Sequence, residues 1–148
     1  MDNGVYTIHC VDGRRGVWIP NGAPLMAPVQ CSNHAPPTPI RIQRIGGNVY
    51  RLFPLNAMQG PGEVVLGAHS EAEPAMVILA PSGTGEAFYT EWAIDHNGTD
   101  SDGNDQYEIH PTTGPGNQYW TETGEGTPIE LKGSRGEEAQ QWVFKHFG

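Results

Sequence analysis

Gln140-Gln141-Trp142-Val143-Phe144-Lys145-His146-Phe147-Gly148 closes the chain. Trp142 and Phe144 stand two apart with Val143 between them, the period of a strand with one face buried. The frame occurs twice more, as Trp92-Ala93-Ile94-Asp95-His96-Asn97-Gly98 and as Ile40-Arg41-Ile42-Gln43-Arg44-Ile45-Gly46. Each copy has a large apolar residue, Ile or Phe two places on, and Gly six places on. Such recurrence is the signature of an internal repeat.

A second frame opens each unit. Val5-Tyr6-Thr7-Ile8-His9, Val49-Tyr50-Arg51-Leu52-Phe53 and Gln106-Tyr107-Glu108-Ile109-His110 all place Tyr two residues before Ile or Leu. The chain divides into three units, approximately 2–47, 48–104 and 105–148, inside one domain spanning 1–148. Within the first unit, strands are expected at Tyr6–Cys10, Gly16–Ile19, Val29–Cys31 and Ile40–Arg44. Asp12-Gly13 marks the first turn. The second unit predicts Val49–Phe53, Glu63–Leu66, Ala75–Leu79 and Thr90–Asp95. The third predicts Gln106–His110, Gln118–Thr121, Ile129–Leu131 and Gln141–Lys145, with a helical turn at Glu137–Gln140. Gly (20) and Pro (13) are abundant, which suits short strands and tight turns.

Twelve short strands in three fourfold units resemble the all-β β-trefoil. That fold is a six-stranded barrel of first and fourth strands, capped by three hairpins of second and third strands. The Tyr and Trp/Ile frames then point into the barrel.

A formal charge of −9 argues against a nucleic-acid partner, whose phosphates attract Lys and Arg. No apolar run approaches a membrane span, so no membrane partner is expected. Met1-Asp2-Asn3-Gly4 has no basic or apolar leader character, and the expectation is a cytoplasmic chain. Cys10 and Cys31 are then expected as free thiols, and the Asn97-Gly98-Thr99 sequon as a plain turn.

No zinc-type His spacing is present, so no metal and no cofactor are expected. His9 and His110 share one repeat position, and His96 and His146 another, which points to packing roles. Asp100, Asp102 and Asp105 lack the spacing and final Glu of a calcium loop and read as a solvated acidic loop. Ser82-Gly83-Thr84-Gly85-Glu86 lacks the lysine of a phosphate cradle. With no nucleophile elbow either, the pattern argues against an enzyme.

Two stretches read as binding surfaces. Pro20, Pro24 and Pro28 stiffen the segment between the second and third strands, Pro20-Asn21-Gly22-Ala23-Pro24-Leu25-Met26. A stiff exposed loop loses little entropy when it docks in an enzyme cleft. Tyr119-Trp120 is the other: it reads first as core or cap packing and second as a candidate sugar-stacking platform. Gln140-Gln141-Trp142 matches the Gln-x-Trp of ricin-type lectins, although the other two units carry Thr90-Glu91-Trp92 and Thr38-Pro39-Ile40 instead.

Gly4-Val5-Tyr6-Thr7-Ile8 at the start and Trp142-Val143-Phe144 near the end resemble the mushroom trefoil inhibitors, and among them the cospin-type fungal serine-protease inhibitors. The resemblance implies inhibition of trypsin-like proteases, in defence or in control of endogenous proteases. It also implies a reactive residue on the loop between strands two and three, which can be Asn; here that is Asn21. A trypsin-like pocket prefers a cation. The Asn21–Ala27 segment holds none, so Arg14, Arg15, Lys132 and Arg135 stand as alternative reactive residues, while Leu25 or Met26 suits an apolar pocket. The competing readings are a ricin-B-like lectin with glycans as partners, and a cysteine-protease inhibitor of the mycocypin type.

Overall fold

The three Tyr frames become strands β1 (Gly4–Cys10), β5 (Val49–Pro54) and β10 (Asp105–Pro111). The three closing frames become β4 (Ile40–Gly46), β9 (Trp92–Thr99) and β13 (Trp142–His146). The structure, a computed structural model, describes residues 1–56, 63–70, 75–82, 87–114 and 116–147. The Gly at the end of the third closing frame and most of the Ser82–Glu86 stretch lie outside the described residues.

The six strands form one closed antiparallel ring in the order β1, β4, β5, β9, β10, β13, with β13 pairing back to β1. Register follows the repeat. The tyrosine of each opening frame faces the first apolar residue of its closing frame: Tyr6 opposite Ile40, Tyr50 opposite Trp92, Tyr107 opposite Trp142. Ile8, Leu52, Ile109, Ile40, Trp92 and Trp142 have no exposed surface, so the alternate positions of both frames do line the barrel. Closing the ring removes the sheet edges that a flat sheet of these strands would expose.

The hairpins are β2 (Gly16–Trp18) with β3 (Gln30–Ser32), β6 (Val64–His69) with β7 (Ile78–Pro81), and β11 (Tyr119–Thr121) with β12 (Glu130–Lys132). The third strand of each unit begins one to three residues later than the alternation implies. The reason is the axis. Val29 donates its amide to Val77, Val77 to Ile129 and Ile129 to Val29, at 2.9, 2.9 and 3.0 Å. These three residues are fully buried, and their backbone bonds close a triangle between units, not a ladder within one hairpin.

An unexpected two-residue strand, β8 (Phe88–Tyr89), pairs with the end of β6. Gly67 permits this approach, because a Cβ there would sit 2.7 Å from the Tyr89 carbonyl. The expected helical turn forms as a 3-10 turn at Glu138–Gln140.

Indoles fill the space between barrel and cap. Trp120 stands edge-to-face with Trp92 and Trp142, at centroid distances of 5.3 and 5.7 Å. Trp92 and Trp142 each donate an indole N–H to a cap-strand carbonyl, that of Leu66 and of Trp120. Truncating a core Trp of this kind costs about 3–5 kcal/mol. Cys10 on β1 and Cys31 on β3 are free and buried. Burial pushes the Cys10 thiol up to about 12 and raises Cys31 further, so neither is a ready thiolate.

Candidate functional site

The Pro20–Met26 segment folds as two consecutive turns with the same pattern, Pro-x-x-Ala. Ala23 donates to the Pro20 carbonyl at 3.1 Å, and Ala27 to the Pro24 carbonyl at 3.2 Å. The third residue of each turn, Gly22 or Met26, takes a positive φ of 73° or 72°. A positive φ at that position alone makes a type II turn, which prefers Gly there. The scaffold holds both turns: Gly22 donates to Asn56 and Met26 to Leu79, at 3.3 and 2.7 Å.

Asn21 is exposed, but the Asn56 side chain donates to its carbonyl oxygen at 2.8 Å and also to the Ile19 carbonyl. Ala23 is buried, while Leu25 and Met26 are each 46% exposed. Each of the two turns of the loop is thus closed by its own backbone hydrogen bond and tied by another to the scaffold. The loop presents an apolar pair at its tip and an amide already in use.

The four cations of the sequence reading fare differently. Arg15 reaches from the β1–β2 turn into the third unit, where its Nη1 lies 3.0 Å from a Glu122 carboxylate oxygen and 3.2 Å from the other. Its Nε lies 3.5 Å from Glu125. Glu125 also accepts from the Ser32 hydroxyl and the Asn33 amide, which depresses its carboxyl. Arg15 thus belongs to a clamp between units, with its guanidinium engaged by two carboxylates. Arg14, held at φ 58°, pairs with Asp102 at 2.8 Å and Asp100 at 3.5 Å. Asp100 spends its remaining capacity on the amides of Asp102 and Asn104, so the acidic loop is built around its own backbone and Arg14. Among the described residues no group of three or more such side chains is placed to hold a metal ion. Lys132 lies 3.8 Å from Glu130.

Arg135 differs. It is exposed and has no ion pair with any described residue. It sits between β12 and the 3-10 turn, followed by Gly136 at a positive φ of 65°. Gln140, completely buried, holds this segment from inside. Its side-chain oxygen accepts the Arg135 amide at 2.9 Å, and its amide donates to the Gly133 carbonyl at 2.8 Å and the Thr121 hydroxyl at 3.1 Å. From the outer side, Asn117 accepts the Ser134 amide at 2.9 Å. A Cβ at Gly133 would come within 3.1 Å of Asn117, so glycine lets the two segments meet.

Here the Gln-x-Trp resemblance finds its physical content. Gln140 braces the loop and Trp142 fills the core, and both side chains are wholly buried. The sequence showed the motif but not its partners, because Gly133 and Thr121 join it only through the fold. Of the two readings of Tyr119-Trp120, Trp120 takes core packing, and the sugar-stacking alternative needs correction there. Trp120 has no exposed surface, since it packs between the other two indoles, and it has no ring face to offer a sugar. Tyr119 remains half-buried against the His110 ring, and His110 in turn pairs with Asp95 at 2.7 Å.

No protein-family model and no curated protein sequence matches the chain. Solved structures do match. The designed 3-fold symmetric protein ThreeFoil aligns with a TM-score of 0.71 at 15% identity, over 97% of this chain and 99% of that one. A proteinase inhibitor from Coprinopsis cinerea aligns with a TM-score of 0.68 at 11% identity, over 99% of both chains. The BEL beta-trefoil aligns with a TM-score of 0.63 at 15% identity, over 96% of this chain and 92% of that one. At such identities the likeness concerns the path of the backbone. With its closed six-strand ring, three hairpins and threefold axis, this chain is a β-trefoil.

Proposed function

We propose that the protein is a reversible inhibitor of trypsin-like serine proteases and that Arg135 enters the primary specificity pocket. The observation that carries this reading is the Gln140 brace: a buried side-chain amide holds the Gly133 carbonyl and the backbone N–H of Arg135, an exposed arginine with no ion pair among the described residues. A cation suits a pocket that ends in a carboxylate. A loop fixed before binding pays little entropy on docking and resists departure once docked. Asn21 lies on a loop that is also held, but it is uncharged and its side-chain oxygen is already bonded to Asn56. The fold shared with a Coprinopsis cinerea proteinase inhibitor is compatible with this function, although one fold hosts many.

The test is a titration of trypsin, chymotrypsin and papain with wild type, Arg135→Ala and Asn21→Ala. Inhibition of trypsin that Arg135→Ala abolishes and Asn21→Ala retains supports the reading. Loss with Asn21→Ala alone moves the site to the double turn. Inhibition of papain alone makes the protein a cysteine-protease inhibitor, and inhibition of none with a positive glycan array makes it a lectin.

A further inference from the structure

Among the described residues, five of the eight Lys and Arg side chains are engaged with carboxylates: Arg14, Arg15, Arg41, Arg51 and Lys132. The formal charge of −9 means that acidic side chains outnumber the cations that could pair with them. Two such acids follow the proposed pocket residue directly, in Arg135-Gly136-Glu137-Glu138. Both are exposed, and neither pairs with a described cation. Their backbone is as fixed as that of Arg135. Glu137 is extended at φ −88° and ψ 155° and its carbonyl accepts the Gln140 amide, while the Glu138 carbonyl accepts the Gln141 amide.

We infer that Glu137 and Glu138 select the protease: the partner carries basic residues beside its cleft, on the side that would receive the chain after Arg135. This rests on the proposed function and deepens it. A protease docked at Arg135 must bring that rim over residues 137 and 138, because only Gly136 intervenes. A carboxylate facing an acidic rim repels it, whereas one facing a basic rim speeds encounter and fixes register. Such steering between exposed charges acts mainly on the association rate and fades as salt shortens the screening length.

The experiment measures association rates with a cationic and an anionic trypsin, at about 20 mM and about 500 mM salt, where the screening length falls severalfold. The proteins are wild type, Glu137→Gln/Glu138→Gln, and a control, Asp2→Asn/Asp105→Asn. The control removes an equal number of negative charges elsewhere, beside Tyr6 and His146 at the far end of β13 from Gln140. At low salt wild type should associate roughly tenfold faster with the cationic enzyme. That gap should close at high salt and in Glu137→Gln/Glu138→Gln, and persist in the control. Equal wild-type rates, or a gap that only the control removes, overturns the inference while inhibition itself stands. Failure to inhibit either trypsin overturns the proposed function as well.

Discussion

The side-chain oxygen of buried Gln140 lies 2.9 Å from the backbone nitrogen of exposed Arg135, which donates to it. One bond thus ties the core of the third unit to the tip of its last loop. Gln140→Ala leaves the Arg135 amide and the Gly133 carbonyl without this partner. We expect a loss of about 2 kcal/mol in stability and at least about a tenfold loss of trypsin inhibition, since ordering the loop then falls to the binding step. Ile109→Val is the control. It costs about 1 kcal/mol in the barrel and should leave inhibition unchanged. Inhibition constants beside denaturation midpoints for both variants decide whether the brace acts on the loop or only on the fold.

Arg15 and Glu122 give a second prediction. Burial raises the Glu122 carboxyl above its usual range, and the Arg15 guanidinium pulls it partly back. A carboxyl raised on folding lowers stability as pH rises through its titration, so Arg15 offsets a cost present at neutral pH. Arg15→Met strands the Glu122 side chain, which is 2% exposed. It should cost about 2 kcal/mol at pH 7, less than a fully buried pair because Arg15 is partly solvated. The loss should shrink as pH falls and Glu122 protonates. Urea denaturation from pH 7 to pH 5 measures this, and a loss that stays constant with pH contradicts the assignment.

The barrel was legible in the sequence because its strands obey a period of two and recur three times. Tyr6, Tyr50 and Tyr107 face the residues that alternation and repetition pick out. The axis was not legible. Val29, Val77 and Ile129 look like ordinary strand residues, and their backbone triangle depends on three segments meeting from far along the chain. The same limit applied to function. Arg14, Arg15, Lys132 and Arg135 are equivalent cations as letters; Glu122, Asp102 and Glu130 distinguish them, and only folding brings the first two of these partners near. Trp120 beside Tyr119 left core packing and a surface platform both open, because a three-residue strand is too short for alternation to show which side is buried.

His9 supplies a prediction in acid. Burial, reinforced by the nearby Lys145 charge, lowers its pKa to about 4. It opposes Gly16 across the sheet, and its Nε2 lies 2.9 Å from the Thr7 hydroxyl. Below its usual value of about 6.5 the unfolded chain takes up a proton that the folded ring refuses. Stability attributable to His9 is therefore full above that pH and declines as pH falls toward 4. With partial solvation the loss should be on the order of 1 kcal/mol. The difference in denaturation midpoint between wild type and His9→Gln should change across this window, with His9→Gln losing less. Parallel curves for the two proteins contradict the burial argument.

Met26 tests whether the double turn is scaffold or site. Its φ of 72° belongs to glycine, yet a methionine holds it, and its amide donates to Leu79 at 2.7 Å. A side chain in the left-handed region costs roughly 1 kcal/mol that glycine does not pay. Met26→Gly should therefore raise stability by about 0.5–1 kcal/mol, reduced by the contacts its half-exposed side chain now makes and by the greater freedom of unfolded glycine. If Arg135 is the pocket residue, this variant keeps full trypsin inhibition. A variant that is more stable but inactive would mean that the strain at Met26 is kept for the side chain it displays. The pocket residue would then lie at Leu25-Met26, and the target would be a protease with an apolar pocket. A stability scan beside trypsin and chymotrypsin titrations separates the two outcomes, because the turn relaxes in both and only the displayed side chain differs.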